Sequence, residues 1–312
     1  MAANYWDSTQ AKHWTYTRSS LATARAQLAS QNPTLVSKYP LPDPRHIRIY
    51  FASQLHKLSR RNTTILRQQC LATALIYLQR FYTLIELRRT NPYLLMTTAI
   101  YLACKMEESP QHIRVALGEA ARQWPELGVS EVSKIGEAEF VMVGVLRARL
   151  VVHHPYRVLG ELGAVFGLGE EERGLAACVV NDSYATDLHL LYPPHVIAIT
   201  AIFLAVVLRP ATNAGLAAHS ASHASSSSSA TPAMSGTTAQ SALAGFAGLK
   251  QAGPKLGKLV DWLAESSVDM EAIVDATQEM VSLYQCWEEY NERNVKEALS
   301  KFTREGGTGV GK

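Results

Sequence analysis

The 312-residue sequence predicts an all-α protein made of two tandem five-helix bundles preceded by an N-terminal helix. Three observations carry that expectation. The stretch Pro92 to Ala103 recurs without a gap as Pro194 to Ala205, keeping the proline, a Thr-Ala-Ile core, an aromatic and Leu-Ala. The copies lie roughly a hundred residues apart, which is a domain's length and well beyond the period of about 20–50 residues that marks a solenoid. Both copies are apolar on every side, so each belongs inside a bundle or a membrane. Neither reaches the roughly 20 apolar residues that span a bilayer before Lys105 or Arg209 intervenes. No segment shows the alternation between turn pairs expected of a strand.

Residues 1–40 are read as an N-terminal helix and a proline-rich connector. The helix covers Asn4 to Ser30, with Asp7 as its N-cap and Gln10 completing a capping box. Asn32-Pro33 and Tyr39 to Pro44 are expected to be non-helical because of their prolines. The first repeat spans 41–150. Its first helix sets Ile47, Phe51, Leu55 and Leu58 on one stripe, and its second, about Gln68 to Tyr82, does the same with Leu71, Leu75, Leu78 and Tyr82. The duplicated helix is third and starts at Pro92, where the missing N–H has no partner to lose. Ile113 to Gln123 is fourth, and Ser130 to about Leu146, capped by Ser130, is fifth. The second repeat, 151–300, opens at His153-His154-Pro155-Tyr156. It continues with helices near Tyr156–Phe166 and Glu170–Leu188, the second copy from Pro194, and amphipathic stretches at Leu256–Leu263 and Val268 to about Glu292. An Ala/Ser/Gly-rich insertion at 211–254 has too little apolar surface to offset the entropy of ordering and is expected to be disordered. Residues 301–312 are read as a flexible tail.

Thirty Lys and Arg against 27 Asp and Glu leave a net charge of +3, short of the concentrated field of a dedicated nucleic-acid binder. Cys70, Cys104, Cys178 and Cys286 have no metal or redox spacing and are read as reduced core residues. The first thirty residues lack the apolar region of a secretion signal, so a cytosolic or nuclear location is expected. No phosphate loop, His-Glu-x-x-His or Gly-x-Ser-x-Gly is present, and His153-His154 lacks a third ligand. No catalytic residue, metal or cofactor is therefore assigned. Two charges break the pattern instead. Lys105 follows Tyr101 and Leu102 at helical spacing, and Glu139 is spaced from Ile135, Met142 and Val143 in the same way, so each rises from a face that should be apolar.

At these residues the chain resembles the cyclin family. Leu102-Ala-Cys-Lys-Met-Glu-Glu108 resembles the third-helix signature of the cyclin box, and Glu137-Ala-Glu139-Phe140 the stretch of the fifth helix that carries the family's glutamate. The C-type branch, the cyclins of the Mediator kinase, is the most similar. The matching stretches are Ala3 to Ser8 with Trp14, Leu66 to Gln69, Gln79 to Tyr82, Val152 to Arg157, Val180 to Tyr184, Asp187 to Pro194 and Ser267 to Glu271.

The resemblance implies a non-catalytic subunit that binds and activates a cyclin-dependent kinase of the Mediator complex in the nucleus. That kinase would regulate RNA polymerase II transcription, including phosphorylation of the polymerase C-terminal domain. Other kinase-module subunits would be partners, with no sequence-specific nucleic acid and no membrane. Lys105 and Glu139 would meet the kinase beside its C-helix, within a face that includes Tyr101, Glu108 and Met142. Tyr5, Trp6 and Trp14 would either anchor a partner or pack back on the first bundle. Asn181, Asp182 and Tyr184 match residues that line a groove between repeats in C-type relatives, or else form a satisfied buried network. Ile47 to Phe51 stand where cell-cycle cyclins carry the Met-Arg-x-x-Leu substrate patch, and Gln79 where they carry aspartate, so substrate docking of that kind is not implied. Two other readings are a cyclin of the kinase-activating-kinase type and a transcription-factor-IIB-like DNA-binding scaffold. The scaffold would use Arg60-Arg61, Arg67, Arg80 and Arg88-Arg89 as a basic face, but no zinc-ribbon cysteine precedes Cys70.

Overall fold

The duplicated helices are the two hubs of the molecule. The computed structural model describes residues 4–60, 66–125, 131–208 and 254–306, and among these it contains fifteen α-helices and no strand. A 3-10 turn at Tyr5–Asp7 leads into α1 (Thr9–His13), α2 (Arg18–Gln31) and α3 (Pro33–Lys38). The first repeat is α4 (Pro44–Ser59), α5 (Gln68–Tyr82), α6 (Pro92–Met106), α7 (Ile113–Gln123) and α8 (Val132–Val145). The second is α9 (Tyr156–Val165), α10 (Glu170–Ser183), the short α11 (Leu188–Leu191), α12 (Pro194–Leu208), α13 (Pro254–Glu265) and α14 (Met270–Glu288). A last helix, α15 (Glu292–Gly306), closes the chain.

In the first repeat α6 packs on α5, α7 and α8, and in the second α12 packs on α9, α10, α13 and α14. Asn91 caps α6 by accepting from the Tyr93 and Leu94 amides, and Pro92 takes the first turn. From Pro92 to Cys104 every α6 residue except Tyr101 is buried, which is why its apolar residues run right round the helix. None of the described helices is long and apolar enough to cross a membrane.

Several local expectations change. The N-terminal segment is broken rather than continuous. Ser8, not Asp7, caps α1 by accepting from the Ala11 amide, and Gln10 is buried and turned inward. Its amide oxygen accepts from the His153 N–H at 2.7 Å, so a residue suited to a capping box ties the N-terminus to the inter-repeat linker. Pro33 starts a helix instead of preventing one, because the first turn does not need its N–H. The helix expected over Glu170–Leu188 ends at Ser183 and resumes as α11. Cys178 is exposed, against the reading of all four cysteines as core. The expected Ser130 cap lies outside the described residues, as does the insertion apart from Pro254.

Residues 301–306 are not a tail. They belong to α15, which buries Val295, Leu299 and Phe302 against the body and packs on α4 of the first repeat. Glu292 accepts from Gln54 at 2.8 Å and Lys57 at 2.7 Å, and Glu305 accepts from Lys38 at 2.8 Å and the Tyr39 hydroxyl at 2.7 Å. The N-terminal arm ties down the other side. Arg25 on α2 grips Asp187 with two bonds of 2.6 and 2.9 Å, and Arg48 on α4 donates to the Ala185 carbonyl at 3.1 Å. Burial works to raise the Asp187 pKa, and the Arg25 and Arg48 guanidiniums overcome it. The helices flanking the two repeats thus staple them together.

Candidate protein-docking site

Lys105 and Glu139 meet. The ammonium on the last turn of α6 forms an ion pair with the carboxylate on α8, and it also lies 4.7 Å from the Tyr101 ring centroid one turn back. The pair is open to solvent, with 39% of the Lys105 side chain and 19% of Glu139 exposed. The α6 helix stops just past Lys105, and α8 runs on from Glu139 to Val145. Glu108 (φ +50°) and Arg147 and Ala148 (both φ +53°) adopt the left-handed region that non-glycine residues rarely occupy. At each end an amide reaches back to the helix, Ser109 N–H to the Cys104 carbonyl and Ala148 N–H to the Val143 carbonyl, both at 2.9 Å. With the Arg147 N–H on the Gly144 carbonyl at 3.0 Å, the end of α8 is a Schellman motif, and the end of α6 shares its six-to-one bond, both without glycine. At α6 this turns the chain so that Glu108 stands exposed at the rim.

The buried stripe of α8 is Ile135, Ala138 and Met142, continued by Leu146. Met142 is therefore corrected from a contact residue to a core residue that backs the face from beneath. Phe140, two positions away and about 200° round the helix, is 83% exposed. Phe140 is not singled out by the sequence, because the 135–138–142–146 stripe that sets it opposite the core emerges only once α8 packs on α6. Met106 at the end of α6 is a further exposed apolar side chain. The face thus combines a fixed ion pair, unshielded apolar groups and the excess negative charge of Glu107 and Glu108. Among the described residues no group of three metal-ligating side chains occurs.

The remaining candidate residues separate. Trp14 is buried and lies 5.2 Å from the Arg80 guanidinium, so it packs back rather than anchoring a partner. Trp6 is 63% exposed and leans on His195, while Tyr5 meets His153 edge-on at 5.7 Å. Asn181 accepts from the Tyr156 hydroxyl at 2.8 Å and Asp182 from the Tyr284 hydroxyl at 3.1 Å. Burial raises the Asp182 pKa, and the Tyr284 bond offsets part of that rise. Tyr184 is fully buried. Each of the three is bonded to a different partner within the fold, and only Tyr184 reaches the cleft of about 350 Å³ that opens between α2, the connector, α4 and α5. Two of the arginines suggested for a basic face are committed elsewhere. Arg80 is fully buried, which pulls its pKa down to about 10, and Arg88 pairs with Glu86 and donates to the Tyr39 carbonyl.

Residues 19–150, from α2 through α8, match the family model for the cyclin N-terminal domain. The chain is 49% identical to an RNA polymerase II holoenzyme cyclin-like subunit of Emericella nidulans, an alignment covering 97% of this chain and 98% of the relative. It belongs to the cyclin family. This cyclin is also 45% identical to the protein of the same description from Neurospora crassa, covering 98% of this chain and 99% of that one. Among solved structures it resembles a chain in the CAK complex from Chaetomium thermophilum bound to ATP-gamma-S, with a TM-score of 0.61 and 17% identity over 97% of this cyclin and 88% of that chain. A chain of a yeast TFIIK complex gives 0.57 at 16% identity, covering 89% of this cyclin and 99% of that chain. At those identities the structures speak for the fold.

Proposed function

We propose that this cyclin is the non-catalytic regulatory subunit of a cyclin-dependent kinase of the Mediator complex, acting in the nucleus on RNA polymerase II transcription, including phosphorylation of the polymerase C-terminal domain. The observation that carries the reading is the solvent-open Lys105–Glu139 pair between α6 and α8, with Tyr101 and Glu108 beside it. The names of its relatives as polymerase II holoenzyme cyclin-like subunits support the transcriptional assignment. A protein kinase works only when its C-helix glutamate pairs with the lysine that holds the ATP phosphates. A rigid face docked on that helix selects the competent position. Shifting such an equilibrium from mostly off to mostly on takes roughly 5 kcal/mol of differential binding. An exposed ion pair supplies about 0–1 kcal/mol, whereas fully burying one phenylalanine supplies about 1.5–3 kcal/mol. Apolar groups such as Phe140 and Met106 accordingly carry the energy, and the charged pair sets register. Tyr5 and Trp6, on the N-terminal arm, are assigned to contact with other kinase-module subunits.

The experiment is reconstitution. A Mediator-type cyclin-dependent kinase is assayed on a peptide of the polymerase C-terminal domain with and without the chain, and equal activity in the two arms would refute the reading. Recovery from nuclear extract distinguishes the kinase-activating-kinase type, because large Mediator subunits are expected to accompany the chain only in the Mediator case.

A further inference from the structure

A chain of hydrogen bonds runs from the second repeat to the rim of the docking face. Glu107, the C-cap of α6, stands two residues past Lys105 and keeps 15% of its side chain open. Its Oε1 accepts from Thr73 Oγ1 on α5 at 2.6 Å. The same hydroxyl lies 2.7 Å from Nε2 of His154 in the inter-repeat linker, and Nδ1 of that ring lies 2.7 Å from the hydroxyl of Tyr184, the C-cap of α10. Proton accounting gives the chain a direction. An ionised carboxylate only accepts, so Thr73 spends its one proton on Glu107 and must accept from Nε2–H. Nδ1 is then bare and accepts the Tyr184 proton. His154 is thereby held neutral in a single tautomer.

The surroundings agree. Burial drives the His154 pKa down and Arg80 adds to this, outweighing the opposing pull of Glu107. Burial works to raise the Glu107 pKa, and the nearby His154, 3.8 Å away, together with the Thr73 bond and Gln69 overcomes it. The other groups facing the imidazole are His153 beside it in the linker and Tyr156 from α9, whose ring lies 5.9 Å away. Tyr184 is itself locked, its ring stacked on His189 at 3.9 Å, while His189 Nε2 bonds the Ser183 hydroxyl at 2.9 Å. At the other end of the chain Lys105 and Glu139 pair with each other, and Glu107 and Glu108 follow them with two further carboxylates.

We propose that His154 is a positioning residue for kinase docking: the Tyr184–His154–Thr73 chain holds the Glu107 carboxylate where it receives a cationic side chain of the docked kinase. The second repeat thus contributes to docking through a first-repeat residue. This rests on the docking reading above.

The test uses the full chain and the kinase from the reconstitution. Thr73→Val and Tyr184→Phe each remove one hydroxyl and keep the shape, and Glu107→Gln removes the charge. Each single variant is expected to raise the concentration of this cyclin needed for half-maximal kinase activity about 5- to 20-fold, leaving the rate at saturation unchanged. In the Glu107→Gln background, Tyr184→Phe is expected to add less than 2-fold. A Tyr184→Phe chain that activates like the native one, or one that weakens docking equally with and without Glu107, overturns the proposal and makes the chain of bonds merely structural. Should either hydroxyl variant melt below the assay temperature, the Glu107→Gln chain paired with the other variant decides the same question. Native protein that activates no such kinase overturns the docking reading itself, and this proposal with it.

Discussion

Exchanging the charges of Lys105 and Glu139 separates what their pair does for the fold from what it does for a partner. With 39% and 19% of the two side chains exposed, the pair contributes about 0–1 kcal/mol to stability. The contact of Lys105 with Tyr101 adds about 0.5–1 kcal/mol. Lys105→Glu loses both and sets two carboxylates together, so it should cost about 1–2 kcal/mol. The double variant, Lys105→Glu with Glu139→Lys, restores an ion pair of reversed polarity and should return to within about 1 kcal/mol of the native stability. Docking should not return. Reversing either charge leaves the kinase group it meets buried and unsatisfied, a penalty of about 1–3 kcal/mol beyond the small net worth of the pair, so a single exchange should weaken kinase binding roughly 10- to 100-fold and the double at least as much. Urea unfolding measures the first quantity and calorimetric titration with the kinase the second. If the double variant regains native affinity, the pair is a structural clasp and the register argument is wrong.

The neighbours Phe140 and Met142 should respond in opposite ways. Phe140→Ser should leave unfolding unchanged and weaken kinase binding by about 1.5–3 kcal/mol, the value of burying that ring. Met142→Ala should cost about 2–5 kcal/mol of stability through the cavity it leaves, read from the urea midpoint. Acid should loosen the second repeat. Burial lowers the pKa of His154 and holds that of His189 well below the ordinary value, so an unfolded chain takes up protons below about pH 6.5 that the folded one refuses. Stability is therefore full above that pH and falls as pH drops toward the folded values, by about 1.4 kcal/mol per pH unit for each histidine. Identical urea midpoints at pH 7.5 and 5.5 would contradict this.

Much of the architecture was legible before any coordinates. Pro92 and Pro194 begin the helices that become the hubs, and α5 and α7 lie where the apolar periodicity puts them, because local spacing and turn chemistry dictate them. The pairing of Lys105 with Glu139 was half visible, as two charges on apolar faces, while their meeting required the packing of α6 against α8. The α15 helix was missed although Val295, Leu299 and Phe302 recur at helical spacing, a pattern weakened by the charges between them.

Other features belonged to tertiary structure alone. Along α8 nearly every residue is apolar or small, so hydropathy could not say that Met142 faces in and Phe140 out. The facing helices made that choice. Trp14, Arg80 and Tyr184 look like surface candidates in sequence, yet each is enclosed by elements tens of residues distant, and His154 acquires its role only between α5, α6 and α10. The chain's own order thus determined its helices and their hubs. Which side chains met solvent, a partner or one another was decided by long-range packing, since burial depends on neighbours that local periodicity does not encode.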